Sequence, residues 1–344
     1  MTSAKVLMPN PAGDLVLEAC QGLDLLTPWR ADGDPVVDLD DVREQVVVIA
    51  NPGESVVDDA LMDSLPRLGL IAHFGVGYDS VDVAAAAERG IVVTNVGGAN
   101  EEEVADTALG LMIMTVRQLG RAEQHLRSGR WAAGETFPLT DGSLTGSVLG
   151  ILGMGRIGQA IARRAQACRM EVAYHTRRRR DLPFRYLPSA VDLARASDVL
   201  VVATPGGPQT EGLVSEDVLE ALGPGGVLIN VARGSIVDEE ALVRLLSEGR
   251  LGGAGLDVFA DEPRVPPQLL EMEHVVLLPH VGSASVPTRR GMARLGRRNI
   301  DSFLTDGTVL TPVPETGHLA TVVPDPGPDC ARHQITDQQQ EASC

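Results

Sequence analysis

A glycine-rich turn between an apolar run and a helical pattern limits the possible folds of this chain more than any other stretch does. Residues 148–152 are apolar, as in a buried strand, and glycines follow at Gly153, Gly155 and Gly158. Residues 157–165 then carry apolar side chains at the period of one helix face. The first glycine permits a sharp turn, the second lets a pyrophosphate approach the backbone, and the third lets helix and strand pack closely. Together with the free amides at a helix N-terminus, this context predicts a dinucleotide site.

Apolar runs alternate with helical patterns on both sides of this turn. The predicted strands span residues 6–8, 46–50, 70–74, 91–94, 171–174, 199–203, 227–230, 254–258 and 275–278. Alternating strands and helices predict an α/β protein with doubly wound parallel sheets. A long helix is predicted from Asn100, as its cap, to about Ser128, with a middle that is apolar on nearly every face. That helix is a candidate for a domain junction and a subunit interface.

Length and charge narrow the functional classes. A chain of 344 residues favours two domains. Its formal net charge of −18 argues against nucleic acid or an anionic membrane surface as the main partner. The four cysteines show no metal-like spacing, so no metal is expected, and no apolar run is long enough to span a membrane. Without a signal-peptide pattern, the expected location is the cytoplasm.

The residues after the second strand of the dinucleotide unit indicate which cofactor binds. An acidic side chain there would hold the ribose 2′-hydroxyl of NAD, but the chain continues from His175 with Thr176, Arg177 and Arg178. Thr176 can donate a hydrogen bond, and both arginines can pair with a 2′-phosphate. A merely solvated charge run is the alternative. We therefore expect NADP, with NADPH as the preferred reductant, and keep NAD as possible.

Three strand ends deliver side chains suited to acid–base chemistry. Arg233, Glu262 and His280 each follow an apolar strand. Because the carboxyl ends of parallel strands meet at one edge, these residues should lie beside the glycine turn. An arginine can hold a carboxylate, a histidine can give or take a proton, and a glutamate can orient the imidazole. Singly, each residue also fits a structural role; together they indicate an active site.

These segments resemble the D-isomer-specific 2-hydroxyacid dehydrogenase family over about residues 5–315. Residues 153–158, 230–238, 252–263 and 279–283 are similar to its signatures, and residues 74–79 and 94–100 to its N-terminal landmarks. Residues 167–170 depart from the family pattern at a packing position only. Within the family, the chain resembles NADPH-preferring glyoxylate/hydroxypyruvate reductases and hydroxyphenylpyruvate reductases most.

The resemblance implies two Rossmann-like or flavodoxin-like domains with a cleft between them. Residues 1–98 with 286–316 would form the substrate domain, and residues 99–285 the cofactor domain, through which a homodimer would assemble. Residues 317–344 contain little apolar side chain and are expected to form a disordered tail.

The resemblance also implies residue roles. Arg233 would bind the substrate carboxylate and carbonyl, His280 would protonate the carbonyl oxygen with Glu262 behind it, and the amides of Val76 and Gly77 would hold the carboxylate. Asp257 would contact the nicotinamide carboxamide. The implied cofactor set is Thr107, Gly153, Met154, Gly155, Arg156, Ile157, Gly158, Thr176, Arg177, Arg178, Thr204, Pro205, Thr210, Val231, Ala232, Arg233, Asp257, His280, Gly282 and Ser283.

The expected activity is therefore NADPH-dependent reduction of a small 2-keto acid, such as glyoxylate or hydroxypyruvate, to a D-2-hydroxy acid. One alternative is a hydroxyphenylpyruvate reductase or another D-2-hydroxyacid dehydrogenase that uses NAD. A formate or phosphite dehydrogenase is a further rival, although Glu262 argues against formate. An alternative of another class is a dinucleotide-sensing binding protein that resembles corepressors with this fold.

Overall fold

The computed structural model describes residues 4–28, 42–53 and 55–323. The chain divides into two compact units. Unit 1 combines the residues up to Ala99 with those from Arg289 onward, and unit 2 comprises Asn100–Thr288. The confirmed fold class is α/β with a parallel sheet in each unit.

Unit 1 contains a five-stranded parallel sheet built from short, apolar, β-branched runs. Its strands are β1 (Lys5–Leu7), β2 (Leu25–Leu26), β3 (Val46–Asn51), β4 (Leu70–His73) and β5 (Val92–Thr94), in the order β2-β1-β3-β4-β5. The helices α1 (Asp14–Ala19), α2 (Asp59–Asp63) and α3 (Val83–Glu88) lie between the strands in sequence. Hydrophobic clusters cover both sheet faces, which explains why β3 and β4 are apolar without alternation.

Unit 2 contains a seven-stranded parallel sheet. Its strands are β6 (Val148–Leu152), β7 (Glu171–His175), β8 (Arg185–Tyr186), β9 (Val199–Val202), β10 (Val227–Asn230), β11 (Gly253–Leu256) and β12 (Val275–Leu277). Its helices are α4 (Glu101–Val116), α5 (Leu119–Arg127), α6 (Arg156–Ala167), α7 (Ala190–Arg195), α8 (Glu216–Leu222), α9 (Glu239–Ser247) and α10 (Pro267–Glu271).

The strand order in unit 2 determines where a ligand can bind. The order is β12-β11-β10-β9-β6-β7-β8, so the chain starts at β6 in the interior and winds out in both directions. The direction of winding reverses between β6 and β9. In open α/β sheets, ligands bind at the carboxyl ends of the strands at such a reversal. The glycine turn follows β6 and therefore lies at this position.

The predicted helix over residues 100–128 is two helices, and its predicted cap is not formed. α4 ends at Val116, and Gln118 adopts a left-handed conformation with φ of 48° before α5 begins. Arg117 and Gln118, the two residues at this break, are compatible with a helix, although Gly120 follows within the first turn of α5. Asn100 has φ of −134° and ψ of 3°, outside the extended geometry of a capping residue, and its side chain accepts no bond from the helix.

A long helix and a short two-stranded pair complete unit 1. The helix α11 (Val286–Asp306) packs Ala293, Ile300 and Phe303 against the sheet of unit 1. Two short parallel strands follow it, β13 (Thr308–Val309) and β14 (Thr321–Val322). No helix within the described parts of the chain is both long and apolar enough to cross a membrane.

A disordered tail is expected from residue 317, but this expectation is wrong for residues 317–323, which are ordered. Residues 317–319 form a short 3-10 helix, and Leu319 and Ala320 pack against the core of unit 1. Val323 donates a backbone hydrogen bond to Val309 at 2.9 Å. Four of the seven residues in this segment are apolar, Leu319, Ala320, Val322 and Val323, although residues 317–344 taken together are largely polar. The rest of the predicted tail, residues 324–344, lies outside the described residues.

We expect a chain that ends at Thr316 to melt a few degrees below one that ends at Val323. The shorter chain loses the β13–β14 pairing and the burial of Leu319, worth roughly 1–2 kcal/mol. Thermal unfolding followed by circular dichroism measures the difference. Equal melting temperatures for the two truncated chains would show that this segment contributes nothing to the stability of unit 1.

Candidate active site

The glycine turn is tightly packed at two of its three glycines. Gly153 has φ of 101°, and a Cβ at this position would lie 2.6 Å from the amide nitrogen of Thr204, in the loop after β9. A Cβ on Gly158 would collide with the carbonyl oxygen of Gly153. These contacts bring the loops after β6 and β9 together where the winding reverses, and they exclude any larger residue at both positions.

The middle glycine has open space beside it. A Cβ on Gly155 would meet no heavy atom within 4 Å, and Gly155 is the N-terminal flanking residue of the twelve-residue helix α6. Met154 is fully buried, so only its backbone can face a ligand. The amides of Arg156, Ile157 and Gly158 begin α6. Open space at a helix N-terminus, where the winding reverses, fits the diphosphate of a dinucleotide.

The turn after β7 presents four exposed arginines, Arg177 to Arg180. Tyr174 is fully buried, and its hydroxyl donates to the carbonyl of Arg180 at 2.8 Å, which fixes the two ends of the turn. Thr176 donates its hydroxyl hydrogen bond to the carbonyl of Arg178 at 2.7 Å. Arg177 and Arg178 are exposed, and the Arg177 guanidinium donates to the Gln209 side chain. Sequence analysis did not anticipate that partner.

The hydroxyl group of Thr210 holds the loop after β9 in place. Thr210 donates to the carbonyl oxygen of Pro205 at 2.7 Å and lies 3.1 Å from that of Gly207. Thr204, which packs against Gly153, belongs to the same loop. The cofactor roles of Thr204, Pro205 and Thr210 stay predictions.

The backbone of Arg233 is fixed by the last residue of β10, the strand that precedes it. Asn230, the buried last residue of β10, donates its side-chain hydrogen bond to the carbonyl of Arg233 at 2.9 Å. The same side chain accepts from the amide of Ala232 at 3.1 Å. A Cβ on Gly234 would overlap the backbone of Phe259, so β10 and β11 continue into closely packed loops. The Arg233 side chain is half-buried at this edge.

Glu262 and His280 form a hydrogen-bonded pair. The Nδ1 atom of His280 lies 2.8 Å from Oε2 of Glu262, whose other oxygen accepts from the amide of Phe259 at 3.0 Å. Because an ionised carboxylate can only accept, Nδ1 of the imidazole carries a proton. The side chains are 47% and 34% exposed, so Nε2 remains the ring atom that can exchange a proton with a ligand.

Asp257 holds the loop that carries His280. Its carboxylate accepts from the amides of Val281 at 2.7 Å and Gly282 at 2.8 Å, and its carbonyl accepts from the amide of His280 at 2.8 Å. Burial raises the pKa of this carboxyl group, although the two amides and His280 act to lower it. Thr107 of α4 approaches the carbonyl of Gly282 at 3.4 Å. Sequence analysis assigned Asp257 to the cofactor and missed this anchoring contact.

The remaining predicted residues occupy the same edge or lie in unit 1. Val231 and Ala232 follow β10, and Ser283 follows the Asp257-anchored amides. Val76 and Gly77 form a turn after β4 in unit 1. Within the described residues, no cluster of three or more His, Cys, Asp or Glu side chains could hold a metal ion.

Comparisons with known proteins found a matching family model and similar curated proteins. Residues 109–282 match the family model described as D-isomer specific 2-hydroxyacid dehydrogenase, NAD binding domain. The chain is 42% identical to a glyoxylate/hydroxypyruvate reductase A of Arabidopsis thaliana, over 91% of this chain and 100% of that protein. It is 43% identical to a hydroxyphenylpyruvate reductase of Plectranthus scutellarioides, over 78% and 86% of the two chains.

A solved structure is also similar. The NADPH-dependent glyoxylate/hydroxypyruvate reductase of Sinorhizobium meliloti, crystallised with NADP and malonate, is 48% identical and superimposes with a TM-score of 0.84. The match covers 91% of this chain and 97% of the crystallised one.

Proposed function

The chain belongs to the D-isomer specific 2-hydroxyacid dehydrogenase family, and from that premise we propose that it reduces small 2-keto acids of the glyoxylate or hydroxypyruvate type to D-2-hydroxy acids with NADPH. The observation that carries this proposal is the hydrogen-bonded pair of His280 and Glu262, at the same sheet edge as Arg233 and the glycine turn. That edge thus combines an acid–base group and a cation with a turn suited to diphosphate.

Each side chain has a defined part in the proposed reaction. The reduced nicotinamide supplies a hydride to C2 of the keto acid when bound. Arg233 holds the substrate carboxylate and carbonyl, and His280 donates a proton from Nε2 to the carbonyl oxygen. Glu262 accepts the hydrogen bond from Nδ1 and so orients the imidazole. The amides of Val76 and Gly77 hold the carboxylate. Residues 1–98 with 286–316 would serve as the substrate domain, and residues 99–285 as the cofactor domain.

The cofactor roles proposed for unit 2 follow from the same edge. The turn from Gly153 to Gly158 would bind the diphosphate, and the loop of Thr204, Pro205 and Thr210 would line the adjoining space. Asp257 orients the amides of Val281 and Gly282, so its contribution to nicotinamide binding includes shaping that loop.

A homodimer through the cofactor domain is part of the proposal. Several large apolar side chains of unit 2 are exposed in the single chain, and four of them lie on α5 or in the segment that follows it: Leu119, Leu126, Trp131 and Leu139. Exposed apolar patches are typical of subunit interfaces. Light scattering coupled to size-exclusion chromatography measures the assembly state.

A substrate panel tests the proposed activity. NADPH oxidation should be observed with glyoxylate and hydroxypyruvate, and kcat/KM for these acids, pyruvate and hydroxyphenylpyruvate ranks the substrates. Tight NADPH binding without turnover of any keto acid would favour the dinucleotide-sensing alternative. Faster turnover of hydroxyphenylpyruvate with NADH would favour the alternative of a hydroxyphenylpyruvate reductase that uses NAD.

Replacing both Arg177 and Arg178 with alanine should weaken the binding of NADPH and leave the binding of NADH unchanged. Both guanidinium groups are exposed at the carboxyl end of β7, and a charge-assisted contact to the 2′-phosphate is worth roughly 1.5–3 kcal/mol. KM values for the two cofactors measure the effect, and the double replacement of Arg179 and Arg180 is the matched control. An equal change for NADPH and NADH would restore the view of a solvated charge run.

A further inference from the structure

Three consecutive carbonyl groups are tied down in the turn after β4. The carbonyl oxygen of Gly75 accepts from the amide of Val96 at 3.2 Å, and that of Val76 accepts from the Asn95 side chain at 2.7 Å. The carbonyl oxygen of Gly77 lies 2.7 Å from Nε2 of His73. The turn is therefore fixed by groups from the ends of β4 and β5, which are adjacent strands.

Anchoring these carbonyls determines where the amides point. In a trans peptide, the C=O and the following N–H point in opposite directions. The bond from Val96 to Gly75 thus turns the Val76 N–H away from the β5 end, and the bond from Asn95 to Val76 does the same for the Gly77 N–H. Within residues 4–28, 42–53 and 55–323, neither N–H donates to another group of the chain. Both N–H groups are thus directed to the same side of the turn, as in the anion-binding concavities that successive backbone amides form.

His73 closes the turn from beneath. Its side chain is 1% exposed, and because a carbonyl oxygen can only accept, Nε2 donates to Gly77. A Cβ on Gly75 would lie 2.6 Å from this same nitrogen, so the glycine makes room for the imidazole. The buried imidazole is therefore suited to holding the backbone.

Asn95 is itself held rigidly. Its backbone amide donates to the carbonyl of Thr311 at 3.1 Å, and its carbonyl accepts from the Thr311 hydroxyl at 2.5 Å. Its side-chain oxygen accepts from the amide of Gly97 at 3.2 Å, which leaves the side-chain NH₂ directed at Val76. Asn299 of α11 accepts from the amides of Leu310 and Thr311 and so supports the same segment.

We propose that Asn95 and His73 are positioning residues that pre-orient the Val76 and Gly77 amides for the carboxylate of the substrate. The inference rests on the proposed function, since it concerns how that substrate is held. A pre-oriented pair of amides binds the carboxylate without a reorganisation cost. Because the carboxylate is bound alike before and during hydride transfer, loss of this orientation should appear mainly in KM.

The test compares Asn95→Leu, His73→Phe and His73→Gln with Asn51→Leu as the matched control. Asn51, at the end of β3, makes the same pattern of bonds to a different loop: it accepts from the amide of Gly53 at 3.1 Å and donates to the carbonyl of Ser55 at 3.0 Å. Leucine keeps the size of asparagine without its hydrogen bonds. Glutamine places an NH₂ near the position of Nε2, whereas phenylalanine keeps only the ring.

We expect Asn95→Leu and His73→Phe to raise KM for glyoxylate about tenfold, as for the loss of one hydrogen bond, with a smaller change in kcat and none in KM for NADPH. His73→Gln should stay near the wild type. Asn51→Leu should lower the melting temperature and leave KM for glyoxylate unchanged. An unchanged KM in folded Asn95→Leu, or an equal rise in Asn51→Leu, overturns the proposal. A glutamine variant as impaired as the phenylalanine variant overturns the role of the His73 donor.

Oxalate affinity, measured by titration calorimetry in the presence of NADPH, separates this inference from the proposed activity. If the wild type does not turn over keto acids, the proposed function fails, yet oxalate should still bind more weakly to Asn95→Leu than to the wild type. Wild-type protein that binds no oxalate, or variants that bind it equally well, overturn the inference. Should His73→Phe fail to fold, Asn95→Leu and its Asn51→Leu control decide the outcome.

Discussion

His280→Ala should lower kcat for keto-acid reduction about 10²–10⁴-fold, the usual contribution of a positioned general acid. Nε2 of His280 is the ring nitrogen left available by the 2.8 Å bond between Nδ1 and Glu262. Alanine removes the proposed proton donor, so the developing charge on the carbonyl oxygen would go unneutralised. Steady-state kinetics with glyoxylate measure kcat, and fluorescence titration measures NADPH affinity, which should change little.

Glu262→Gln refines the same prediction. Glutamine keeps the shape and can still accept a hydrogen bond from Nδ1 of His280, but it lacks the negative charge of the carboxylate. We expect kcat to fall less than in His280→Ala, because the ring keeps its orientation while only the charge beside it is lost. A wild-type kcat in Glu262→Gln would show that Glu262 only orients the ring. Near-normal turnover by His280→Ala would require a different proton source and would overturn the mechanism.

Arg233→Ala should lower kcat/KM for glyoxylate by roughly 10- to 100-fold or more, since a hydrogen bond to a charged group contributes roughly 1.5–3 kcal/mol. The side chain is half-buried at the end of β10, where Asn230 fixes its backbone carbonyl. Without it, neither the carboxylate nor the reacting carbonyl would be paired with a cation.

Arg233→Lys is the matched variant for that prediction. Lysine restores the positive charge but not the planar pair of donors, so it should recover only part of kcat/KM. Full recovery would indicate a purely electrostatic role. Wild-type kcat/KM in Arg233→Ala, with a normal thermal melting curve, would show that another group binds the carboxylate.

The sequence by itself determined the strands and the glycine turn, because the patterns that predict them lie within a few neighbouring residues. Apolar runs such as residues 46–50 and 227–230 are buried on both faces, so their composition alone predicts parallel strands. The turn from Gly153 to Gly158 is a local motif whose role in packing follows from the missing Cβ atoms. Because parallel strands deliver their carboxyl ends to one edge, the grouping of Arg233, Glu262 and His280 in one unit was also predictable.

Contacts between distant parts of the chain decided the rest. The Asp257 carboxylate accepts a hydrogen bond from the amide of Val281, which lies 24 residues further along the chain. The Asn95 side chain donates to the carbonyl of Val76, which lies 19 residues earlier. The left-handed residue Gln118 interrupts a helical pattern that continues in sequence. Leu319 packs against the core of unit 1, although the composition of residues 317–344 taken together predicted a tail. Propensity and spacing describe neighbours along the chain, whereas these features depend on which side chains and backbone groups meet after the sheets have formed.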